Sequence, residues 1–259
     1  MPATQETRRP EKRVGCYVYG ILPHDVELTP DSRGIGDRDV SLVRHGQIAA
    51  LVSEVPLDSP LGTPEDLAAH QRLLDAAAVA APVLPIKFGA VLANADDVAE
   101  ELLAANHDEF RDALNQMEGR VEYLLKARYV ERTILGEILS ENSEAARLRE
   151  EIRGEAEETS RDAKIRLGEM INEGIAAKRA ADTREAVEIL APYSVATNER
   201  EPTHREDAAH VAFLVETEKA GRFEEAAADL VRTWRGRADV RLLGPLAPYD
   251  FVVTSGGGG

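Results

Sequence analysis

Between residues 120 and 246 the spacing of apolar residues switches from two to three or four and back in a set order, and that order limits the possible folds more than any other feature. Residues 121–130 alternate, with Val121, Tyr123, Leu125, Ala127 and Tyr129 on one side and Glu122, Lys126 and Arg128 on the other, which predicts a strand exposed on one face. A charged helical stretch follows over 131–190 and carries an apolar stripe of Ala163, Leu167, Met170, Ile171 and Ile175. Gly136, Gly154 and the polar run 140–143 predict that it breaks into two or more helices. Residues 192–197 and 211–215 read as strands around a polar loop. Phe223, Ala226, Ala227, Leu230, Val231 and Trp234 mark an amphipathic helix over 222–235, and residues 239–243 a last strand. Strand, helix, strand, strand, helix, strand is the order of a ferredoxin-like domain.

The first half follows a different plan. Residues 14–21 form a β-branched and aromatic run that stops at Pro23, and residues 40–44 and 48–53 predict a hairpin closed by His45-Gly46-Gln47. Thr63-Pro64-Glu65-Asp66 starts a helix: a hydroxyl cap, a proline at the first position and two carboxylates at the positive end of the dipole. Leu67, His70, Leu74, Ala77, Ala78 and Ala81 are expected on its buried face. Residues 83–89 read as a short buried strand. Asn94 and Asn106 are expected to cap two helices carrying Val98, Leu102, Ala105 and Phe110, Leu114, Met117. A chain of 259 residues is long enough for two cores. The expected class is therefore α+β in two domains: a polar leader 1–13, an N-terminal sheet-plus-helices domain 14–119, a C-terminal ferredoxin-like domain 120–254 with a long helical insertion, and a flexible tail 255–259.

A net charge of -16 argues against a general affinity for phosphate backbones or anionic membranes, so no nucleic acid and no membrane partner is expected. The single cysteine, Cys16, excludes an internal disulfide and a cysteine zinc site, and fits a reducing cytoplasm. No secretory signal or membrane span is read. Neither Cys16 nor any serine sits in a nucleophile signature, and no two of the six histidines have the i,i+4 spacing of a zinc helix. Gly34-Ile35-Gly36 lacks the lysine and hydroxyl of a phosphate loop. His70 and Lys87 each admit two readings, a core histidine and a solvated lysine, or a polar pair that meets in space to bind a small molecule.

One resemblance accounts for most of these features. Tyr17-Val18-Tyr19-Gly20-Ile21, Leu51-Val52-Ser53-Glu54-Val55, His70, then Val83-Leu84-Pro85-Ile86-Lys87-Phe88-Gly89, in that order and spacing, resemble the GvpF/GvpL family of gas vesicle proteins. The closing Gly244-Pro245-Leu246-Ala247-Pro248-Tyr249-Asp250-Phe251 looks like that family's C-terminal signature, departing from it at Leu246 and Ala247. The resemblance implies a non-enzymatic assembly factor or minor structural protein without a cofactor, working in the cytoplasm and at the gas vesicle. Its implied partners are the hydrophobic major shell protein (GvpA-like) and other gas vesicle accessory proteins. His70, Pro85, Lys87, Phe88, Gly89, Pro245, Tyr249 and Phe251 become the candidate structural or partner-binding residues, and a sheet edge or an apolar groove beside the long helical region the expected docking surface. The alternative is a small-molecule-binding or enzymatic ferredoxin-like protein that uses the His70/Lys87 region.

Overall fold

A computed structural model describes residues 13–58, 60–154 and 161–252. The leader expected over 1–13, apart from Arg13, and the tail expected over 255–259 lie outside them. The chain divides into two compact units, one made of residues up to 119 together with those from 247 onward, the other of residues 120–246.

In the first unit β1 (Val14–Pro23) is central and is buried from Cys16 through Leu22, which is why it reads as a continuous apolar run instead of an alternating one. It pairs antiparallel with β3 (Ile48–Pro56), and β3 with β2 (Ser41–His45). The β2–β3 turn needs a positive φ at Gly46, +56°, which glycine adopts without strain. Two short strands, β4 (Leu84–Pro85) and β5 (Val91–Leu92), occupy the other side of β1, so the strand expected over 83–89 contracts to two residues and a turn. The Gly20 Cα lies so close to this edge that a Cβ there would come within 2.9 Å of the Leu84 carbonyl oxygen.

Helix α1 (Pro64–Ala80) begins with the full capping box: Thr63 accepts from the Asp66 amide and Asp66 accepts from the Thr63 amide. Its buried positions start at His70 and continue through Leu73, Leu74 and Ala78, whereas Leu67 in the first turn is 49% exposed, contrary to its expected place on the buried face. Asn94 caps α2 (Ala95–Asp97), which runs directly into a π-helical stretch, Val98–Ala104. Bonding five residues apart puts Val98 and Leu103 on the buried face, in place of the Leu102 and Ala105 that α-helical spacing selects. Helix α3 (His107–Met117) then buries Phe110, Leu114 and Met117 as expected. Asn106 does not cap it; its side-chain amide donates to the Leu102 carbonyl, 2.8 Å.

The second unit runs β6 (Arg120–Tyr129), α4 (Glu131–Glu141), α5 (Ser143–Gly154), α6 (Arg161–Leu190), β7 (Ala196–Glu199), β8 (Asp207–Glu216), α7 (Ala220–Thr233) and β9 (Ala238–Leu246). The antiparallel sheet has the order β7-β8-β6-β9, the ferredoxin-like arrangement with three helices in the first crossover. The first helical break falls at Asn142, whose Oδ1 accepts from the amides of Glu144 and Ala145, both 3.1 Å; Gly136 sits inside α4 and breaks nothing. Residues 191–193 form a 3-10 turn, which shortens the strand expected over 192–197.

The alternation of β6 holds: Val121, Tyr123, Leu125, Ala127 and Tyr129 share one core with Ile175, Leu190, Phe223, Leu230 and Trp234. Glu122, expected to face solvent, is only 2% exposed. A charged cluster ties the helices to the sheet. Arg237 meets Glu137 of α4 and Asp182 of α6 at 2.9 Å each, lies over the Tyr129 ring, and shares Asp182 with the Tyr129 hydroxyl.

Candidate functional site

Four of the candidate residues converge in the first unit around two tyrosines of β1. The Tyr17 hydroxyl is 2.9 Å from His70 Nδ1 and accepts from the Gly89 amide at 3.1 Å, while the rings of Tyr17, His70 and Phe88 stand edge-on to one another with centroids 5.6–5.9 Å apart. Tyr19 packs beside His70, its hydroxyl bonded to Ser53 at 2.8 Å and accepting from the Ile35 amide at 2.8 Å. Pro85 pairs with Gly20, and Phe88 and Gly89 follow in the turn that returns the chain to β1, where the Val18 amide donates to the Ala90 carbonyl. The glycine is suited to this turn by its φ of +97°.

The electrostatics are those of a packed core. Burial pushes the His70 imidazole down to about 4, against the pull of the Ile86 backbone, so it is neutral at pH 7. Burial likewise raises the Tyr17 phenol to about 12, against the Gly89 hydrogen bond. Lys87 points elsewhere: it is exposed while His70 is buried, so the structure does not bring the two together as a polar pair. His70, Pro85, Phe88 and Gly89 thus fasten β4 and its turn to β1, with the Tyr17 hydroxyl bonded both to His70 and to the Gly89 amide. Among the described residues no group of three or more His, Cys, Asp or Glu side chains is placed to hold a metal.

The C-terminal motif is divided between the units. Pro245 is the last residue but one of β9 in the second, whereas Ala247 is fully buried against the first unit's core, where its amide donates to Asp75 of α1 at 2.9 Å. Tyr249 and Phe251 follow in two tight turns, their amides donating to the carbonyls of Ala247 and Pro248. Asp75 escapes sequence reasoning, because an acidic residue within a helix carries no local signal that a distant amide will seek it out.

Three surface clefts among the described residues are lined by neither His70 nor Lys87. What the second unit does present is an open sheet end. Strand β9 pairs with β6 alone among the described strands, and Leu243 on it is 41% exposed. A nine-residue strand with one side of its ladder unpaired can take an added strand from another chain.

The family model described as gas vesicle synthesis protein GvpL/GvpF matches residues 15–253. A gas vesicle protein F from Streptomyces sp. (strain CB03234) is 32% identical over 92% of this chain and 100% of its own length. The crystal structure of gas vesicle protein GvpF from Anabaena sp. PCC7120 superposes with a TM-score of 0.77 at 23% identity, covering 93% of this chain and 99% of that one. The GvpF structure from Microcystis aeruginosa gives 0.74 at 20% identity, covering 92% and 98%.

Proposed function

The chain belongs to the GvpL/GvpF family of gas vesicle synthesis proteins, and from that premise we propose that it is a non-enzymatic assembly factor or minor structural protein that holds the hydrophobic major shell subunit, and other gas vesicle proteins, while the vesicle forms. The observation that carries this reading is the side of β9 left unpaired among the described strands, together with the exposed Leu243 on that strand. A shell subunit that polymerises through apolar, strand-forming surfaces aggregates when released unpaired, because open strand edges and apolar patches template association. A partner with its own open edge can pair with such a strand through main-chain hydrogen bonds and release it when a growing shell offers a better one. The net charge of -16 keeps such a complex dispersed.

In this reading the protein works in the cytoplasm and at the vesicle. No helix among the described residues is long and apolar enough to cross a membrane. The buried His70 cluster contributes by holding the first unit's sheet together and takes no part in turnover.

Co-expression with the major shell subunit followed by co-purification is the test. Wild-type protein should retain the subunit. Leu243→Glu, at an exposed position where the fold tolerates charge, should reduce recovery several-fold. Failure of the wild type to retain the subunit would overturn the assignment of partner, and equal recovery with Leu243→Glu would overturn that of the edge.

A further inference from the structure

We propose that the second unit carries a binding site for a small tetrahedral oxyanion, of the phosphate or sulfate class, in a cleft walled by His210, Lys126 and Arg241. The strand register builds it. Lys126 on β6 stands opposite His210 on β8 and opposite Arg241 on β9, so three basic groups form one row across three adjacent strands. Lys126 and Arg241 are like charges directly opposite one another, a pairing that destabilises a sheet and that an anion bound between them would relieve. Two residues along, the row Asp207, Arg128, Asp239 alternates in sign and carries one negative charge, short of the two positive charges of Lys126 and Arg241. Lys126 and Arg241 hold no ion pair among the described residues, although the chain has 47 acidic residues to 31 Lys and Arg.

His210 supplies the observation that points to a ligand. It is only 9% exposed, its Nδ1 lies 3.3 Å from the Glu201 carbonyl oxygen, and its buried Nε2 has no hydrogen-bond partner among the described residues. A carbonyl at Nδ1 fixes the proton there, so Nε2 becomes a donor only when the ring is protonated.

Of the two carboxylates on the cleft, that of Asp207 is already engaged. One oxygen of Asp207 accepts from the Thr203 amide and hydroxyl and from the His204 amide at 2.7–2.9 Å, and the other lies 3.6 Å from Arg128. Asp239 is the cross-strand neighbour of Arg128. Counting Lys126, Arg128 and Arg241 against Asp207 and Asp239 leaves the lining at 3 − 2 = +1 with neutral histidines.

The cleft volume, about 360 Å³, falls at the small end of ligand sites, and among the described residues no Phe, Tyr or Trp lines it, so charge and not stacking selects the occupant. A planar Arg fork beside a Lys point charge suits an oxyanion with several acceptor oxygens. Burial lowers the proton affinity of His210; Arg200 and Lys126 lower it further, and the Glu201 carbonyl and Asp207 work against them. An arriving anion reverses that balance, so binding takes up a proton and tightens as the pH falls.

Inorganic sulfate is the probe of choice, because its own charge does not change near neutrality. Titrated into the full chain at constant ionic strength and followed by the His210 imidazole resonances, it should shift them saturably, and inorganic phosphate should compete. Affinity should rise between pH 8 and pH 6. Lys126→Ala and Arg241→Ala, both at exposed positions, should each weaken binding about tenfold, the loss of one charge-assisted contact. His210→Gln should abolish the pH dependence while leaving weak binding. An absent or linear response, an equal response to acetate at matched ionic strength, or unchanged affinity in both cation variants would overturn the site.

Discussion

At the residue scale, His70 shows how a polar group becomes structural. Its ring is enclosed by Tyr17, Tyr19 and Phe88, and one nitrogen is satisfied by the Tyr17 hydroxyl. Because its proton affinity is lowered from an ordinary pKa of 6.5 to about 4, the folded state binds fewer protons than the unfolded chain between those values. The stability it supports is therefore complete above pH 6.5 and declines as the pH falls to about 4. Urea denaturation at pH 7.5 and pH 5 should show wild type losing on the order of 2 kcal/mol more than His70→Gln over that interval. Equal losses would mean that the ring is solvated. His70 was legible in the sequence as a histidine on an apolar helix face. Its separation from Lys87 was not, because the turn carrying Lys87 points outward only once β4 has paired with β1.

At the element scale, the same periodicity argument succeeds in one helix and fails in another. In α7 the residues Phe223, Ala227 and Leu230 are buried as their spacing predicts. In the stretch Val98–Ala104 the π-helical bonding shifts the buried face by one residue. Leu103→Ala should cost about 3 kcal/mol, as a fully buried leucine does. Leu102→Ala should cost no more than about 1 kcal/mol. Thermal or urea unfolding of the two variants decides the register, and the reverse ranking would restore α-helical spacing. Helix starts were the most legible elements, Thr63 above all, because a cap is local chemistry between residues three apart. Asn106 resembles such a cap in sequence yet turns its amide back to Leu102, since the preceding π turn leaves that carbonyl within reach.

At the scale of the whole molecule, the chain leaves the first unit at Gly119 and returns to it at Ala247. The return is held by a buried alanine and by its amide's bond to Asp75. Ending the chain after Leu246 should therefore loosen α1, read as hydrogen–deuterium exchange accelerated about tenfold there, while β6 and β8 keep their protection. Unchanged exchange in α1 would show that the returning segment is dispensable. The sequence by itself determined what depends on neighbours along the chain: the apolar run of β1, the alternation of β6, the amphipathic face of α7, the Thr63 cap, and the order of elements that makes the second unit ferredoxin-like. Tertiary structure alone decided which sheet face buries Glu122, that Asp75 meets Ala247, and that Lys126 stands in a row with His210 and Arg241. The reason is physical: propensity and periodicity act over a few residues, whereas strand register joins positions 84 and 115 residues apart along the chain, which no local pattern encodes.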